Sequence, residues 1–78
     1  QYIESLYPNP STDFLNISLR RTDVQTRIQL VDINGTLLQE IPVTSTLLHL
    51  NTKTLAPGAY YLRIIQQEKV GYQKFIKQ

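Results

Sequence analysis

The sequence predicts an all-β fold, an immunoglobulin-like antiparallel β-sandwich of six or seven short strands. Three observations support this prediction. Apolar and polar residues alternate over several short runs, as they do in half-buried strands. Turn residues separate these runs at a spacing of about ten residues, which is typical of sandwiches. No stretch of the chain has the periodicity of an amphipathic helix.

The size and charge of the chain narrow its class. Its 78 residues make one small domain, and such a domain buries only about 60% of the surface that its unfolded chain exposes. Cysteine is absent, so disulfides and thiolate metal sites are excluded. The net charge of +2 is spread along the chain, whereas nucleic-acid binding usually needs a clustered basic face. No apolar run approaches the roughly 18 residues of a membrane span.

Two strands joined by a turn are predicted in the first twenty residues. Residues 1–6 alternate weakly and form either a linker or an edge strand. The stretch Tyr7-Pro8-Asn9-Pro10 begins a turn, because each proline removes a backbone donor and fixes φ. Residues 14–20 alternate cleanly, and residues 21–24 form a polar link. The inward face of the second strand holds Leu15, Ile17 and Leu19. The turn side chains expected to bond their own backbone locally are Asn9, Ser11, Thr12 and Asp13.

A hairpin is predicted at Asn34-Gly35. The run over residues 25–33 changes its apolar parity after Leu30. A bulge near Asp32, or burial of both faces at that end, explains this change. Asn-Gly between apolar runs is the strongest short-range hairpin signal, because both residues accept positive φ.

Two further strands are predicted before residue 52. The return strand of the hairpin covers residues 36–43, and Pro42 restricts its far end to a sheet edge or a strand terminus. After a turn at residues 44–46, residues 47–51 form a short strand. Its apolar face holds Leu48 and Leu50.

A tyrosine corner is predicted at residues 55–60. Leu55 precedes Pro57 and Gly58, which preset the turn, and Tyr60 opens the next strand. In sandwiches such a tyrosine is buried, and its hydroxyl bonds a backbone group a few residues upstream. The inward face of this strand holds Tyr60, Leu62 and Ile64.

The last strand is predicted over residues 70–77, after a hairpin loop at residues 66–69. Two facings remain open for it. One places Phe75 in the core, and the other buries the residues of opposite parity, which are Val70, Tyr72 and Ile76. Three lysines crowd this part of the chain, namely Lys69, Lys74 and Lys77. These lysines are consistent with a solvated edge strand that is protected against pairing with other chains, and equally with a recognition surface.

Catalytic and metal-binding chemistry is not indicated. His49 is the single histidine, and no motif supplies it with a nucleophile and a supporting acid. The stretch starting at Asp32 resembles the beginning of a calcium loop, but its oxygen ligands stop at Thr36. We therefore expect no enzyme activity, no metal and no cofactor. A sugar-stacking platform would need three tyrosines, Tyr60, Tyr61 and Tyr72, which core and cross-strand packing explain more simply.

Several separated stretches together suggest one family. They are Tyr7-Pro8-Asn9-Pro10 with Asp13-Phe14-Leu15-Asn16-Ile17, Val31-Asp32-Ile33-Asn34-Gly35, Leu55-Ala56-Pro57-Gly58-Ala59-Tyr60-Tyr61-Leu62-Arg63-Ile64, and Lys74-Phe75-Ile76-Lys77. In this order and spacing, they resemble the C-terminal sorting domain of proteins exported by the type IX (Por) secretion system. The resemblance covers almost the whole chain, so we expect residues 1–78 to form one such domain.

The resemblance implies a non-catalytic signal domain at the end of a larger cargo protein. In this family the cargo enters the periplasm through an N-terminal signal peptide, and the outer-membrane translocon recognises the folded sandwich. A cell-surface sortase usually removes the domain, and the cargo is released or joined to an anionic lipopolysaccharide. The expected location is secreted or cell-surface, in a Gram-negative bacterium. The chain lacks an initiator methionine and a signal peptide, so we expect a fragment of a longer protein.

The resemblance also implies which residues carry the signal. These motif positions are Tyr7, Pro8, Asn9, Pro10, Asp32, Gly35, Leu55, Gly58, Tyr60, Lys74, Phe75, Ile76 and Lys77. A partner can recognise a terminal strand with an open edge by adding a strand to it. We therefore expect residues 70–77 to belong to the recognised surface. Open edges also leave room for a weak homodimer. The alternative function is a fibronectin-like or carbohydrate-binding module of a secreted enzyme or adhesin, which would need an exposed aromatic row or a polar cleft.

Overall fold

Seven β-strands form two antiparallel sheets in the computed structural model, which describes residues 3–20 and 25–78. The strands are β1 (Ile3–Tyr7), β2 (Phe14–Leu19), β3 (Thr26–Asp32), β4 (Leu37–Ile41), β5 (Leu47–Asn51), β6 (Gly58–Gln66) and β7 (Lys69–Lys77). The three-stranded sheet has the order β1-β2-β5, and the four-stranded sheet has the order β4-β3-β6-β7. The predicted all-β sandwich is confirmed. The described ranges contain no helix long and apolar enough to span a membrane.

The strand order is that of an immunoglobulin-like sandwich. In the nomenclature of that fold, the three-stranded sheet corresponds to strands A, B and E, and the four-stranded sheet corresponds to C′, C, F and G. The chain passes between the sheets after β2, after β4 and after β5. Because neighbouring strands are antiparallel, the ends of the odd-numbered strands and the starts of the even-numbered strands gather at one end of the sandwich.

The core lies between the two sheets and is built from alternate positions of the strands. Successive side chains of a strand point to opposite faces, so one apolar parity per strand is enough to fill it. Each such side chain contributes about 1.5–3 kcal/mol when fully buried. The predicted inward faces of β2, β5 and β6 are confirmed. The core residues are Ile3, Leu15, Ile17, Leu19, Ile28, Leu30, Ile41, Leu48, Leu50, Tyr60, Leu62, Ile64 and Phe75.

The facing of β7, which the sequence left open, is decided in favour of Phe75. Its side chain is completely buried, whereas Val70 is 52% and Tyr72 is 60% exposed. Three apolar side chains therefore point away from the core along this strand, since Ile76 is also exposed. Parity alone could not decide the facing, because the outer face of the four-stranded sheet carries apolar residues of its own.

Burial of both faces explains the change of parity in β3 at Val31 only, because Ile33 lies beyond the end of the strand and is 65% exposed. β3 pairs with β6 without interruption along its whole length. The register shift lies in the β3–β4 ladder, where Leu30 faces Gln39 and Val31 faces Leu37. The additional residue is therefore Leu38 in β4, so the bulge predicted near Asp32 is wrong in its place. Val31, on the outer face, is only 2% exposed.

The Asn34-Gly35 hairpin is confirmed, with a longer turn than predicted. The Gly35 N–H donates to the Asp32 carbonyl at 3.0 Å, and Gly35 has a φ of +84°. Among the described residues other than glycine, only Gln67 has a positive φ, so Asn34 does not share the left-handed conformation. The carboxylate of Asp32 explains this, because it accepts the N–H groups of Asn34 and Thr36, both at 2.9 Å.

The remaining boundaries differ slightly from the prediction. β1 is an edge strand of the three-stranded sheet, so residues 3–6 are not a linker. β4 is shorter than the predicted residues 36–43. It ends immediately before Pro42, because proline has no N–H to donate to the ladder. Gln66 pairs with Lys69, so the last hairpin has a two-residue loop. Residues 1–2 and the predicted polar link at 21–24 lie outside the described residues.

Candidate functional site

Motif segments that are distant in the sequence meet at one end of the sandwich. Asp32, Tyr60 and Phe75 are direct neighbours across β3, β6 and β7. The turn after β1 reaches the same end, because Ser11 forms a parallel bridge with Lys77. We call this region the motif end, and it comprises residues 7–13, 32–36, 52–60 and 74–78. The fold thus brings the predicted motif positions together.

The C-terminal end of β7 is held on both of its edges. On one edge it pairs with β6. On the other, the Ser11 N–H donates to the Ile76 carbonyl and the Gln78 N–H donates to the Ser11 carbonyl, both at 2.8 Å. The side-chain oxygen of Asn9 accepts the Ile76 N–H at 3.1 Å. We call residues 9–11 the clamp segment. We call residues 74–78 the tail, and its last part, residues 76–78, is therefore enclosed on both sides.

The clamp segment corrects the prediction of local hydrogen bonds in this turn. The Asn9 side chain bonds a residue 67 positions away, because the turn lies along an edge where β7 offers free backbone groups. The local bond predicted for the Ser11 side chain is also wrong, because Ser11 is completely buried and its hydroxyl oxygen has no hydrogen-bond partner in the described residues. Its role is carried by backbone atoms, so no residue-type signal marks it. Pro8 and Pro10 are exposed on either side of Asn9, and both prolines follow cis peptide bonds.

The turn is fastened to the other loops of the motif end as well. Thr52 is completely buried, and its hydroxyl donates to the Thr12 carbonyl at 3.1 Å. Its N–H donates to the Asp13 carbonyl at 2.9 Å. Tyr7, the last residue of β1, pairs with Asn16 and leaves 52% of its surface exposed. The motif end is thus connected across both sheets.

The tyrosine corner is present as predicted. The Tyr60 hydroxyl donates to the Ala56 carbonyl at 2.6 Å. The Tyr60 ring is 8% exposed and stacks on Phe75 with a centroid separation of 5.7 Å. Leu55 packs against the core from the corner. Gly58 has a φ of +150°, which residues with a Cβ rarely adopt. One aromatic pair therefore joins the corner to the tail.

The two lysines of the tail have different environments. Lys74 is exposed and lies opposite Tyr61. Lys77 is only 9% exposed, because it shares the inward parity of Phe75, and its Nζ donates to the Gln78 backbone oxygen at 3.1 Å. Lys77 is therefore not part of a solvated lysine edge. Such a side chain can cover apolar surface with its methylene stem while its ammonium group stays bonded.

Asp32, which begins the stretch that resembles a calcium loop, uses its carboxylate within a turn. Asp32 directs Oδ1 into its own turn, as the hairpin interpretation requires. Within residues 3–20 and 25–78, no three carboxylate or histidine side chains lie close enough together to hold a metal ion. His49 is exposed in β5, stacks on Phe14 at 5.1 Å, and places Nδ1 3.0 Å from the Asn16 side-chain oxygen.

A polar ladder, which sequence reasoning missed, crosses the outer face of the four-stranded sheet. The Gln29 amide donates to Glu40 at 3.0 Å and accepts from Arg63 at 2.8 Å. The Arg63 guanidinium lies 5.7 Å from the centre of the Tyr72 ring. Hydrogen bonds from Gln29 and then Arg27 lower the pKa of Glu40. The shared outward parity of Gln29 and Arg63 is the signal that could have indicated this ladder.

The tyrosines do not form one sugar-stacking platform. Tyr60 is in the core, whereas Tyr61 and Tyr72 lie on the outer face. Those two rings meet edge to face at 6.4 Å. The arrangement is the cross-strand packing that the sequence favoured.

The fold and its connected loops define a small immunoglobulin-like module. A family model described as the secretion system C-terminal sorting domain matches residues 5–78. The chain therefore belongs to this family, and the resemblance found in its motifs is confirmed. No match was found among curated proteins.

A solved structure supports the same fold. The chain is similar to PorZ of Porphyromonas gingivalis, described as an essential bacterial surface component of the type-IX secretion system, with a TM-score of 0.80 and 20% sequence identity. The similarity covers 97% of this chain and 11% of that one.

Membership of the family gives the general function. The domain is the C-terminal sorting signal of type IX secretion cargo. It implies an interaction with the type IX machinery and a cargo on the N-terminal side of the domain. It also implies export to the cell surface or secretion from a Gram-negative bacterium of the Bacteroidetes type.

Proposed function

We propose that the outer-membrane translocon recognises a surface of the folded domain, and that a cell-surface sortase then removes the domain. The cargo is thereby released or attached to the cell surface. The observation that carries this proposal is the double enclosure of the tail, between the clamp segment and β6. A linear signal would need neither contact, whereas a folded signal gains from a tail that is ordered before binding.

The positions of Ile3 and the tail support recognition of the motif end by the translocon. Ile3 pairs with Leu19, at the end of the sandwich opposite the motif end. A cargo that precedes Ile3 would therefore leave the domain on the far side. The motif end would stay accessible while the cargo is attached.

We also propose that the domain is not an enzyme. The supporting observation is that His49 contacts an aromatic ring and an amide rather than a nucleophile and an acid. Catalysis by general acid and base needs such groups within hydrogen-bonding reach of each other. The motif residues have structural contacts instead, as the Asp32 turn and the Tyr60 corner illustrate.

The test is a fusion of residues 1–78 to the C-terminus of a fluorescent periplasmic protein in a host with the type IX machinery. We expect fluorescence at the cell surface or in the medium. Deletion of residues 74–78 should retain the fusion in the periplasm, because it removes the enclosed tail. Thr12→Ala serves as the matched control, since it alters the same turn without touching the Asn9 or Ser11 contacts to β7. Undiminished export after the deletion would show that the tail is not needed.

A further inference from the structure

The free edge of β7 continues beyond the part that the clamp segment covers. Ile76 and Gln78 direct backbone groups toward that segment. Alternate residues of an extended strand present their N–H and C=O groups to the same side, so Val70, Tyr72 and Lys74 present theirs to the same edge. β7 is the last strand of its sheet, and no strand in the described ranges pairs there. We call these three residues the open edge.

We propose that the open edge binds an extended peptide segment by strand addition, and that this segment carries apolar and acidic side chains on the same face. The inference rests on the proposed function, because it assigns the segment to a component of the export machinery. It narrows the recognised surface from residues 70–77 to the half of β7 that the clamp segment leaves uncovered.

The first argument is that the molecule already adds a strand to this edge. Ser11 pairs with Lys77 in parallel through two backbone hydrogen bonds of 2.8 Å. An incoming segment that continues the line of the clamp segment would meet the next backbone groups of the same edge. The Lys74 carbonyl accepts only a 3.3 Å bond from the Gln73 side chain, which a backbone donor could replace. The geometry for strand addition is therefore present.

The second argument is the apolar character of the side chains beside the open edge. Val70 and Tyr72 are both more than half exposed. The Tyr72 ring is fixed between Tyr61 and Arg63, so little side-chain freedom remains to be lost on binding. An added strand would cover these side chains with apolar side chains of its own.

The third argument is charge. Lys69 and Lys74 are exposed and lie at the two ends of the open edge. Lys74 shares the outward parity of Val70 and Tyr72, whereas Lys69 has the opposite parity. Lysines on an edge strand disfavour stray pairing with neutral or basic strands. The same charges attract an acidic strand and set its register. An added strand would therefore place an acidic side chain beside Lys74, on the same face as the apolar side chains that cover Val70 and Tyr72.

The first test uses the fluorescent fusion with changes at Tyr72. Tyr72→Pro removes the N–H that faces the open edge and leaves the β6 ladder intact, and edge strands accept proline at such positions. Tyr72→Ala removes the ring but keeps the N–H. We expect Tyr72→Pro to abolish export, Tyr72→Ala to reduce it, and Tyr72→Phe to leave it unchanged, with all three variants folded by circular dichroism. Equal export of the proline and alanine variants would overturn strand addition.

The second test addresses the charge of the partner. The double change Lys69→Glu and Lys74→Glu should reduce export at least tenfold, whereas Lys69→Arg with Lys74→Arg should not change it. Equal export of both double variants would overturn the acidic partner. If the proposed function were wrong, the unaltered fusion itself would stay in the periplasm. That result differs from every outcome of the variants described here.

The third test uses a defined probe in solution. A capped eight-residue peptide with valine and glutamate on one face of the extended chain and threonine on the other is titrated into the ¹⁵N-labelled 78-residue chain. The same peptide with lysine in place of glutamate is the control. We expect amide shifts at Val70, Tyr72 and Lys74 with the glutamate peptide alone. Shifts elsewhere in the chain, no shifts, or equal shifts with both peptides would contradict the proposal.

Discussion

Replacing Tyr60 with phenylalanine tests the corner that joins the two sheets. The change removes the 2.6 Å hydrogen bond to the Ala56 carbonyl and keeps the ring, which stacks on Phe75. A hydrogen bond of this kind contributes about 0.5–1.5 kcal/mol, and a buried acceptor left without a partner costs about 1–3 kcal/mol. Ala56 is exposed, so water can replace the lost donor. We therefore expect a loss of about 1 kcal/mol.

This loss is measurable in a domain of 78 residues. For domains of about 60–100 residues, 1 kcal/mol lowers the unfolding midpoint by about 4–8 °C. Thermal and urea unfolding, followed by circular dichroism, should both report it. Tyr72→Phe is the matched control, because Tyr72 is 60% exposed and its hydroxyl bonds nothing in the described part of the chain. Coincident curves for the unaltered chain and Tyr60→Phe would refute the role of the corner.

Four further predictions concern stability and the tail. Phe75→Ala should destabilise the fold by about 3–5 kcal/mol, because the ring is completely buried, whereas Ile76→Ala should have a much smaller effect in urea unfolding. Asn9→Ala should speed amide exchange at Ile76 by removing its 3.1 Å acceptor; unchanged exchange would exclude the clamp contact. Gly35→Val should cost about 1–2 kcal/mol at a φ of +84°, and Gly35→Asn should cost less, in paired thermal unfolding experiments. In the folded protein the pKa of Glu40 is lowered from its ordinary value of 4.5. The ionised carboxylate therefore stabilises the fold fully above pH 4.5, and this stabilisation is lost as the pH falls through the lower pKa of the folded state. Glu40→Gln should therefore reduce the unfolding free energy by at most about 1 kcal/mol at neutral pH and by nothing at low pH, and an equal effect at both would contradict the assignment.

The sequence by itself determined most of the strands, the inward faces of β2, β5 and β6, and the positions of the turns at the motif end. Leu15, Ile17 and Leu19 face the core because alternation has a period of two, which any local window of the chain reveals. The Tyr60 corner was equally predictable, since its hydroxyl reaches only four residues upstream. The order of the motifs also indicated the sorting-domain family, because each motif is a local stretch with its own turn chemistry.

Only the tertiary structure decided how these local pieces meet. Phe75 rather than Tyr72 faces the core because β7 pairs with β6 in the register that sets Phe75 beside the inward-facing Tyr60. Apolar residues of both parities along β7 do not reveal that register. The Asn9 side chain finds its partner 67 positions away, and Ser11 acts through backbone atoms that every residue possesses. The Arg63 side chain donates a hydrogen bond to Gln29 only because β3 and β6 lie side by side. Such contacts depend on which strands become neighbours, and this follows from packing the whole chain around one core rather than from any single stretch.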